Sequence, residues 1–376
     1  MPSNAQHSRR RFLGQTAAVA VTMLPGLASA QDASPGERLF TPLPGDWRHF
    51  ELTTRVDLSA LQGPTSVWLP VPYVNGEFQR TGQSTFDSNG KVALREDARQ
   101  GIRFVHAEFA EGTADPYVEV VSRVQTQNRA VDWSRKVAQA EDPAVLQAYT
   151  RPTQLLPTDG IVRSTALAAT RGAKTDVEKV RMLFDWVVSN THREPKVRGC
   201  GEGDIKTMLE TGNLSGKCAD LNALFVGMSR AVGVPARDVY GIRVAPSAFG
   251  YRELGGNPAS LKGAQHCRAE AYLRGYGWVA MDPADVTKVM RQETPEWIKS
   301  SQHPLIAPVN RALFGGWEGN WMAFNTAHDV ALPGARNPKD TLGFFMYPTA
   351  ENDQGRLDSY APDTFKYQIT AKEIAV

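Results

Sequence analysis

The sequence predicts an α+β fold, in which helices pack on an antiparallel sheet and an antiparallel β domain precedes this core. Residues 45–128 contain alternating apolar positions and runs of β-branched and aromatic residues, which are typical of strands. Residues 175–282 then give two amphipathic helices followed by strands, an order that favours helices lying on an antiparallel sheet. The length of 376 residues suits two domains, and one or three are also compatible with it.

The composition is that of a globular protein with little net charge. Hydrophobic residues make up 41% of the chain, which excludes a disordered or fibrous protein and predicts a sizeable core. There are 42 basic and 40 acidic residues; residues 1–30 contain three arginines and no acid, so their removal leaves 42 − 3 = 39 against 40. The only dense basic run, residues 9–11, lies in that segment. We therefore expect no nucleic-acid partner.

Residues 1–30 have the features of an export signal. Three arginines, Phe12 and Leu13 precede a mildly apolar stretch at 16–27, and the small residues 28–30 form a cleavage pattern. The paired arginines resemble a bacterial twin-arginine signal, which is an address read by a receptor; a short amphipathic helix is the alternative. Since no later run approaches about 18 apolar residues, we expect a periplasmic mature protein without a transmembrane segment.

Strand patterns dominate the region after the signal. Residues 50–58 alternate between apolar and polar side chains, and Asn89-Gly90 is a hairpin signal. Further strands are predicted at 66–71, 104–109 and 117–124. His49 and His106 lie within strand patterns and are expected to be packed or solvated. Because this β region lacks a cluster of chemically reactive side chains, we assign it a role in support or substrate access.

Breaker pairs separate this β region from the core. Pairs such as Asp142-Pro143 make residues 129–160 more typical of a linker than of a compact element. We therefore place the β-rich domain and its linker at 31–150 and the core at 151–290.

The core begins with two helices. A capping box from Thr175 to Glu178 opens the first, and the second follows Lys217 and ends at Gly233. Strands are then predicted at 238–244, 266–273 and 278–282, and a C-terminal extension at 291–376 has strand-like stretches at 344–347 and 365–369. The glycine-rich residues 199–220 match neither the dinucleotide fingerprint nor the phosphate loop, and we expect no cofactor.

Cys218 occupies a position suited to a reactive thiol. It follows the Ser215-Gly216-Lys217 turn and lies in the first turn of the second helix, where free backbone N–H groups and the helix dipole favour a thiolate. A lone cysteine is more often a small buried hydrophobe, so the rest of the pattern has to decide.

His266 and Asp282 complete that pattern. His266 opens one predicted strand and Asp282 closes the next, so adjacent strands can bring their side chains together. An aspartate that binds one imidazole nitrogen leaves the other free to take a proton from Cys218. Taken singly, His266 is more often a core histidine and Asp282 a turn residue before Pro283.

Three segments resemble the nucleophile helix, the His strand and the Asp strand of the bacterial transglutaminase-like superfamily. They are Gly216-Lys217-Cys218-Ala219-Asp220 with the helix after it, His266-Cys267-Arg268-Ala269-Glu270, and Gly275-Tyr276-Gly277-Trp278 through Asp282-Pro283. The resemblance covers about residues 160–290. It departs from the family at Arg268, where many members have tryptophan, and a more polar cleft is expected there.

The resemblance implies a papain/transglutaminase-like core with a Cys-His-Asp triad. Cys218 would be the nucleophile, His266 the general base and acid, and Asp282 the orienting group. It further implies an amide-bond hydrolase, such as a peptidase or amidase, or a transglutaminase-type acyltransferase. Such an enzyme forms a thioester with a peptide or protein substrate, and water or an amine acceptor resolves it.

Three cysteines are too few for a disulfide framework in a chain of this size. If Cys218 is reserved for chemistry, Cys200 and Cys267 are left as a possible disulfide between the glycine-rich loop and the His strand. The competing hypothesis is a zinc site formed by these three cysteines and His266, although the paired spacings of structural zinc motifs are missing.

A non-catalytic peptide- or cell-wall-binding module on the same fold is the alternative function. Trp317, Trp321 and Tyr347 would line its groove, although such residues are more often core. Three polar residues near the proposed centre receive no catalytic role: Asp220, Asn222 and Arg237. Asp220 is expected to support the helix N-terminus.

Overall fold

The structure is a computed structural model that describes residues 38–59, 63–136, 139–337 and 339–375. The expected export signal lies outside these residues. The strands are β1 (Arg48–Asp57), β2 (Thr65–Pro70), β3 (Gln79–Ser88), β4 (Lys91–Asp97), β5 (Ile102–Phe109), β6 (Tyr117–Thr126), β7 (Arg129–Ala130), β8 (His192–Arg193), β9 (Ser215–Gly216), β10 (Ala236–Arg243), β11 (Gln265–Leu273), β12 (Gly277–Met281), β13 (Gly316–Trp317), β14 (Trp321–Asn325), β15 (Thr349–Asn352), β16 (Gly355–Arg356) and β17 (Tyr367–Glu373).

The described residues form seven α-helices. They are α1 (Pro143–Ala148), α2 (Gly160–Ala169), α3 (Asp176–Asn190), α4 (Ile205–Thr211), α5 (Cys218–Ala231), α6 (Pro283–Gln292) and α7 (Ala307–Ala312), with one 3-10 turn at Arg252–Leu254. None of these helices combines the length and hydrophobicity that crossing a bilayer requires.

Two antiparallel sheets form the β region, and both contain strands from the C-terminal part of the chain. Their orders are β17-β1-β6-β3 and β16-β15-β2-β5-β4. Alternation along β1 buries Phe50, Leu52 and Val56, as the period of two predicts. The predicted α+β fold with an N-terminal β region is confirmed. The domain limits at 150 and 290 stay a prediction, and strand pairing crosses both of them.

The predicted hairpin at Asn89-Gly90 is instead a corner between the two sheets. The flanking strands do not pair with each other, since β3 pairs with β6 and β4 pairs with β5. The Asn89 amide donates to the Ala114 carbonyl (2.8 Å) and accepts from the Tyr117 N–H (3.0 Å). A side chain at Gly90 would overlap the Phe109 ring. These contacts hold the chain against the strand ends and turn it from one sheet to the other.

Two other local predictions differ from the structure. The expected linker contains α1, because Asp142 caps the helix by accepting from the Ala144 N–H (2.8 Å) and Pro143 suits its first turn. The strand predicted at residues 344–347 is not formed. These residues are irregular, and the next strand, β15, begins at Thr349. The backbone carbonyl of Phe345 bonds to a side-chain amide, and its ring packs in a small satellite core.

The core has α5 packed on the four-stranded antiparallel sheet β12-β11-β10-β14. All residues of α5 are buried, because α2, α3, α4 and α6 also contact it. Every residue of β11 is buried as well. This arrangement brings the N-terminus of α5 to the start of β11 and the end of β12.

Candidate active site

The thiol of Cys218 lies at the N-terminus of α5, as expected. Cys218 is the first residue of the helix and only 3% exposed. Asp220 accepts hydrogen bonds from the backbone N–H groups of Lys217 (2.8 Å), Glu202 (2.9 Å) and Gly203 (2.9 Å). Asp220 thereby caps the helix and holds the glycine-rich loop against it, which fixes the position of the thiol.

Gly201 leaves room for the Asp220 carboxylate to accept these three hydrogen bonds. Its φ of +92° lies in the left-handed region, and a Cβ there would overlap the Asp220 carboxylate. Burial raises the pKa of Asp220, while the three N–H groups act in the opposite direction. The loop and the helix end therefore depend on one glycine and one carboxylate.

His266 and Asp282 are hydrogen-bonded in the structure. Nε2 of His266 lies 2.7 Å from Oδ2 of Asp282, and both side chains are buried. Because Nε2 is occupied, Nδ1 is the nitrogen left to act on a thiol. Asp282 lies one residue beyond β12, where its Oδ1 accepts from the Asp285 N–H (3.0 Å) and caps α6. The sequence analysis interpreted this residue as the end of a strand and missed the helix.

Asn222 holds the same carboxylate, a role that the sequence analysis did not assign. Its amide donates to Oδ1 of Asp282 (3.1 Å) and to the Cys267 carbonyl (2.8 Å), and its oxygen accepts from the Ala284 N–H (3.2 Å). Asn222 is four residues after Cys218, so both lie on one face of α5. That spacing is the signal that could have identified it.

A second carboxylate, Asp285, lies beside the imidazole. Its Oδ2 is 3.3 Å from Nε2 of His266, and the Arg243 guanidinium donates to both of its oxygens (2.5 and 2.6 Å). Burial opposes its charged form, but Arg243 and His266 hold the pKa of Asp285 well below the usual range. Asp285 is therefore an ionised partner of the histidine.

The surroundings favour a charged imidazole. Burial and the Arg243 charge lower the pKa of His266, whereas the charges of Asp285 and Asp282 and the hydrogen bond to Asp282 raise it. The pKa rises from 6.5 to about 9. His266 is accordingly protonated at neutral pH.

The surroundings also favour a charged thiol at Cys218. Hydrogen bonding with the Cys200 thiol and then with the Cys267 thiol lowers the pKa of Cys218, burial opposes this, and His266 lowers it further. The pKa of Cys200 moves in the opposite direction, well above its usual value, because it acts as the donor and is buried. These directions favour a Cys218 thiolate beside a His266 imidazolium.

Arg268 lies behind the triad and not in the cleft, contrary to expectation. It is 2% exposed, and its Nε is 3.6 Å from the Asp282 carboxylate. Its guanidinium packs over Trp317 (5.2 Å) and Trp321 (4.6 Å), and burial lowers its pKa to about 10. Both tryptophans are 1% exposed, so neither lines a groove. Arg237 is also remote, since it pairs with Glu270 (2.6 Å).

The three cysteines are free thiols in the structure. The Cys200 sulfur lies 3.3 Å from the Gln265 carbonyl oxygen and accepts from the Tyr347 hydroxyl (3.0 Å). The disulfide between Cys200 and Cys267 stays a prediction, and both thiols lie next to Cys218.

The three cysteines and His266 do not form a group with metal-binding geometry among the described residues. There, one group of side chains has the geometry to hold a metal ion, and it consists of His266, Asp282 and Asp285. Their ligand atoms are already used in hydrogen bonds with one another and with Arg243. These hydrogen bonds explain why the three side chains lie together: they belong to the candidate triad and its surroundings.

Cys218 and His266 line a cavity of about 250 Å³. One wall is formed by Tyr347, Tyr360 and Tyr367 from the C-terminal region. The extension therefore contributes to the site, which the sequence did not indicate beyond the mention of Tyr347.

Comparison with known proteins gives related sequences and a shared fold. A profile described as the transglutaminase-like superfamily matches residues 163–283. An uncharacterized protein of Haemophilus influenzae is 33% identical over 347 residues, covering 86% of this chain and 91% of that protein. A solved structure of a putative cysteine protease from Cytophaga hutchinsonii has a TM-score of 0.53 at 16% identity, covering 89% of this chain and 93% of that one. This last similarity concerns the fold.

Proposed function

Because this chain belongs to the transglutaminase-like superfamily, we propose that it is an exported cysteine-dependent amide-bond hydrolase or acyltransferase with Cys218, His266 and Asp282 as its catalytic triad. The main support is the 2.7 Å hydrogen bond from His266 to Asp282 beside a thiol whose pKa is lowered. All three side chains are buried at the base of one cavity or directly behind it.

The first chemical step is attack by the thiolate. The sulfur of Cys218 forms a bond to the carbonyl carbon of the amide, and the carbonyl electron pair moves onto oxygen. The backbone N–H of Cys218 belongs to the first turn of α5, where N–H groups have no partner within the helix. It is available to donate to the oxyanion, and such a donor is typically worth about 3 kcal/mol.

The second step releases the amine. The His266 imidazolium gives its Nδ1 proton to the leaving nitrogen as the carbon–nitrogen bond breaks, which leaves a thioester on Cys218. Water or an acceptor amine then attacks the thioester carbon and gives its proton to His266, and the carbon–sulfur bond breaks to return the Cys218 thiolate and release the acid or the new amide. Asp282 keeps Nε2 bonded throughout, and Asn222 keeps Asp282 in place.

Turnover of defined substrates tests the proposal. Peptide amides and glutaminyl peptides are incubated with and without a primary amine, and products are separated by mass spectrometry. We expect acid products in water, or amine adducts when amine is present, and an acyl group on the position 218 peptide after rapid quenching. Cys218→Ala and His266→Asn should lose at least 1,000-fold in rate. Equal rates for the wild type and Cys218→Ala would contradict the proposal.

A matched histidine separates chemistry from folding. His106 is also buried, but it lies in β5, where it stacks on Trp68 with ring centroids 5.2 Å apart. His106→Asn should lower stability without removing acylation at Cys218. If both histidine variants lose activity in proportion to stability, His266 has no special role.

Export is tested on the N-terminal segment. Replacing Arg9 and Arg10 by lysine should leave the full-length precursor in the cytoplasmic fraction, since a twin-arginine signal depends on these residues. The measurement is fractionation with N-terminal sequencing of the wild-type mature protein, which should start near residue 31. An unprocessed wild type would contradict this part of the proposal.

A further inference from the structure

The cavity above Cys218 is lined by positive side chains. Arg193, Lys217, Arg243 and Lys288 contribute to its wall, and among the described residues that line it there is no carboxylate. Such an imbalance in a half-enclosed site raises the local potential and attracts anions.

Two of these four cations are neutralised by the protein. Arg243 donates to both oxygens of Asp285 (2.5 and 2.6 Å). Lys288 donates to the Glu253 carbonyl (2.6 Å), and its Nζ is 3.5 Å from the Glu253 carboxylate. These two side chains serve the fold and the triad.

Arg193 and Lys217 have no such partner. In the part of the chain that the structure describes, neither of them forms an ion pair with a carboxylate. Nε of Arg193 donates to the neutral amide oxygen of Gln292 (3.0 Å). Burial and then the charge of Arg193 lower the pKa of Lys217, while the charges of Cys218 and Asp220 act in the opposite direction.

The backbone holds these two cations together next to the thiol. Strands β8 and β9 are parallel, and Arg193 is opposite Gly216 in their register. The next residue is Lys217, the N-cap of α5, and Cys218 follows it. A strand pair and a helix start thus fix the two charges beside the proposed nucleophile.

The remaining charges of the site offset this pair only in part. The Asp220 carboxylate raises the pKa of Lys217, but it accepts from three backbone N–H groups and forms no ion pair with that side chain among the described residues. The lowered pKa of Cys218 and the raised pKa of His266 favour a thiolate and an imidazolium, whose charges offset each other. The tyrosine wall contributes no free hydroxyl donor, since Tyr347, Tyr360 and Tyr367 donate to Cys200, the Gly201 carbonyl and the Ser359 carbonyl. The Gln265 amide also lines the cavity without a hydrogen-bond partner, so Arg193 and Lys217 are the charged donors that are left to recognise an anion.

We propose that Arg193 and Lys217 bind a carboxylate of the substrate next to the amide that is cleaved or transferred. This inference rests on the proposed function and adds a substrate class, namely amides of acidic peptides. An arginine provides a planar pair of donors and a lysine a compact charge, and both suit a carboxylate. The carboxylate belongs either to an acidic side chain or to a free C-terminus.

Binding to Cys218→Ala protein tests the inference without turnover. The probes are N-acetyl-Ala-Gln-Ala-amide, which has no carboxylate, N-acetyl-Ala-Glu-Ala-amide, with a side-chain carboxylate, and N-acetyl-Ala-Gln-Ala with a free C-terminus. We expect at least one acidic probe to bind tenfold more tightly than the neutral probe in calorimetry or NMR titration. Which acidic probe does so identifies the source of the carboxylate.

Substitution of the two cations should remove this preference. In the Cys218→Ala background, Lys217→Met and Arg193→Gln should each reduce the preference at least fivefold. Lys196→Met is the matched control, because Lys196 is an exposed lysine three residues after Arg193. This variant should keep the preference for the acidic probe. Equal binding of all three probes, or a preference that survives both substitutions, would overturn the inference.

Two measurements keep this inference separate from its premise. If the wild type turns over no amide but the carboxylate preference depends on Arg193 and Lys217, only the proposed function fails. If Lys217→Met changes the pH dependence of Cys218 alkylation and leaves the preference intact, the lysine serves the thiolate and the carboxylate site is refuted. Thermal unfolding of each variant checks that it is folded.

Discussion

Replacement of Asp282 by asparagine should lower the pKa of His266. In the folded protein this pKa is about 9 rather than 6.5, a difference that corresponds to about 3 kcal/mol in favour of the imidazolium. Burial and Arg243 oppose the charge, and the charges of Asp285 and Asp282 and the hydrogen bond to Asp282 support it. Asparagine retains one oxygen that can cap α6, but its NH2 group then replaces Oδ2 beside Nε2, so the substitution removes both the charge and the hydrogen bond that His266 donates.

We expect the pKa of His266 to fall by at least one unit in Asp282→Asn, which is about 1.4 kcal/mol. It should not fall to the value of an isolated buried histidine, because Asp285 stays 3.3 Å from Nε2. The stabilisation from protonated His266 is complete below about pH 6.5 and is lost as the pH rises to about 9 in the wild type. In the variant, this loss should be complete at a lower pH.

The assay is an NMR titration of the histidine ring signals between pH 5 and 10. The sequence contains 7 histidines, and the His266 signal is assigned as the one missing from His266→Asn. Asp176→Asn is the control, since Asp176 is a carboxylate in the first turn of α3, outside the candidate site. A His266 midpoint that is unchanged or higher in Asp282→Asn would refute the electrostatic account of the site.

Three further substitutions or treatments have defined outcomes. Asn222→Ala leaves a buried carbonyl, a carboxylate and an N–H short of partners, so urea unfolding should show a loss of about 3 kcal/mol; a loss below about 1 kcal/mol would contradict the assigned contacts. Gly201→Ala should cost at least about 2 kcal/mol because its φ is left-handed and its Cβ displaces Asp220, and an unchanged urea midpoint would contradict this. A peroxide should oxidise the Cys218 thiolate to a sulfenic acid, and the Cys200 thiol should then displace water to give a disulfide that dithiothreitol reverses. Peptide mapping that finds Cys200 still free after oxidation would rule out this pairing.

The candidate catalytic residues could be proposed from the sequence because each has a local signal. Cys218 follows a turn and opens an apolar helix, and His266 lies in a strand pattern. The structure brings these two residues and Asp282 together. The strand pattern ends at Asp282, one residue beyond β12, and it does not indicate α6, although an aspartate followed by proline is also typical of a helix start.

The partners of these residues depend on contacts between distant segments. Arg243 lies in β10 and Asp285 in α6, and only the packing of α6 against the sheet brings them together. Arg193 is placed opposite Gly216, the residue before Lys217, by a parallel pair of two-residue strands that are too short to show a period in the sequence. Fold class is a sum of local patterns, whereas such pairs are set by topology and register.

The pairing of β1 with β17 has a consequence for how the chain reaches its native state. Arg48 and Glu373, which bond across these strands, are 325 positions apart. Such a distant contact raises the contact order, and the entropy of closing that loop slows folding. During translation β1 can pair with β6 early, but its other edge stays unpaired until β17 has been synthesised. An early stop codon or a proteolytic cut before β17 would unpair one edge of the first strand and, with Tyr367, remove part of the cavity wall.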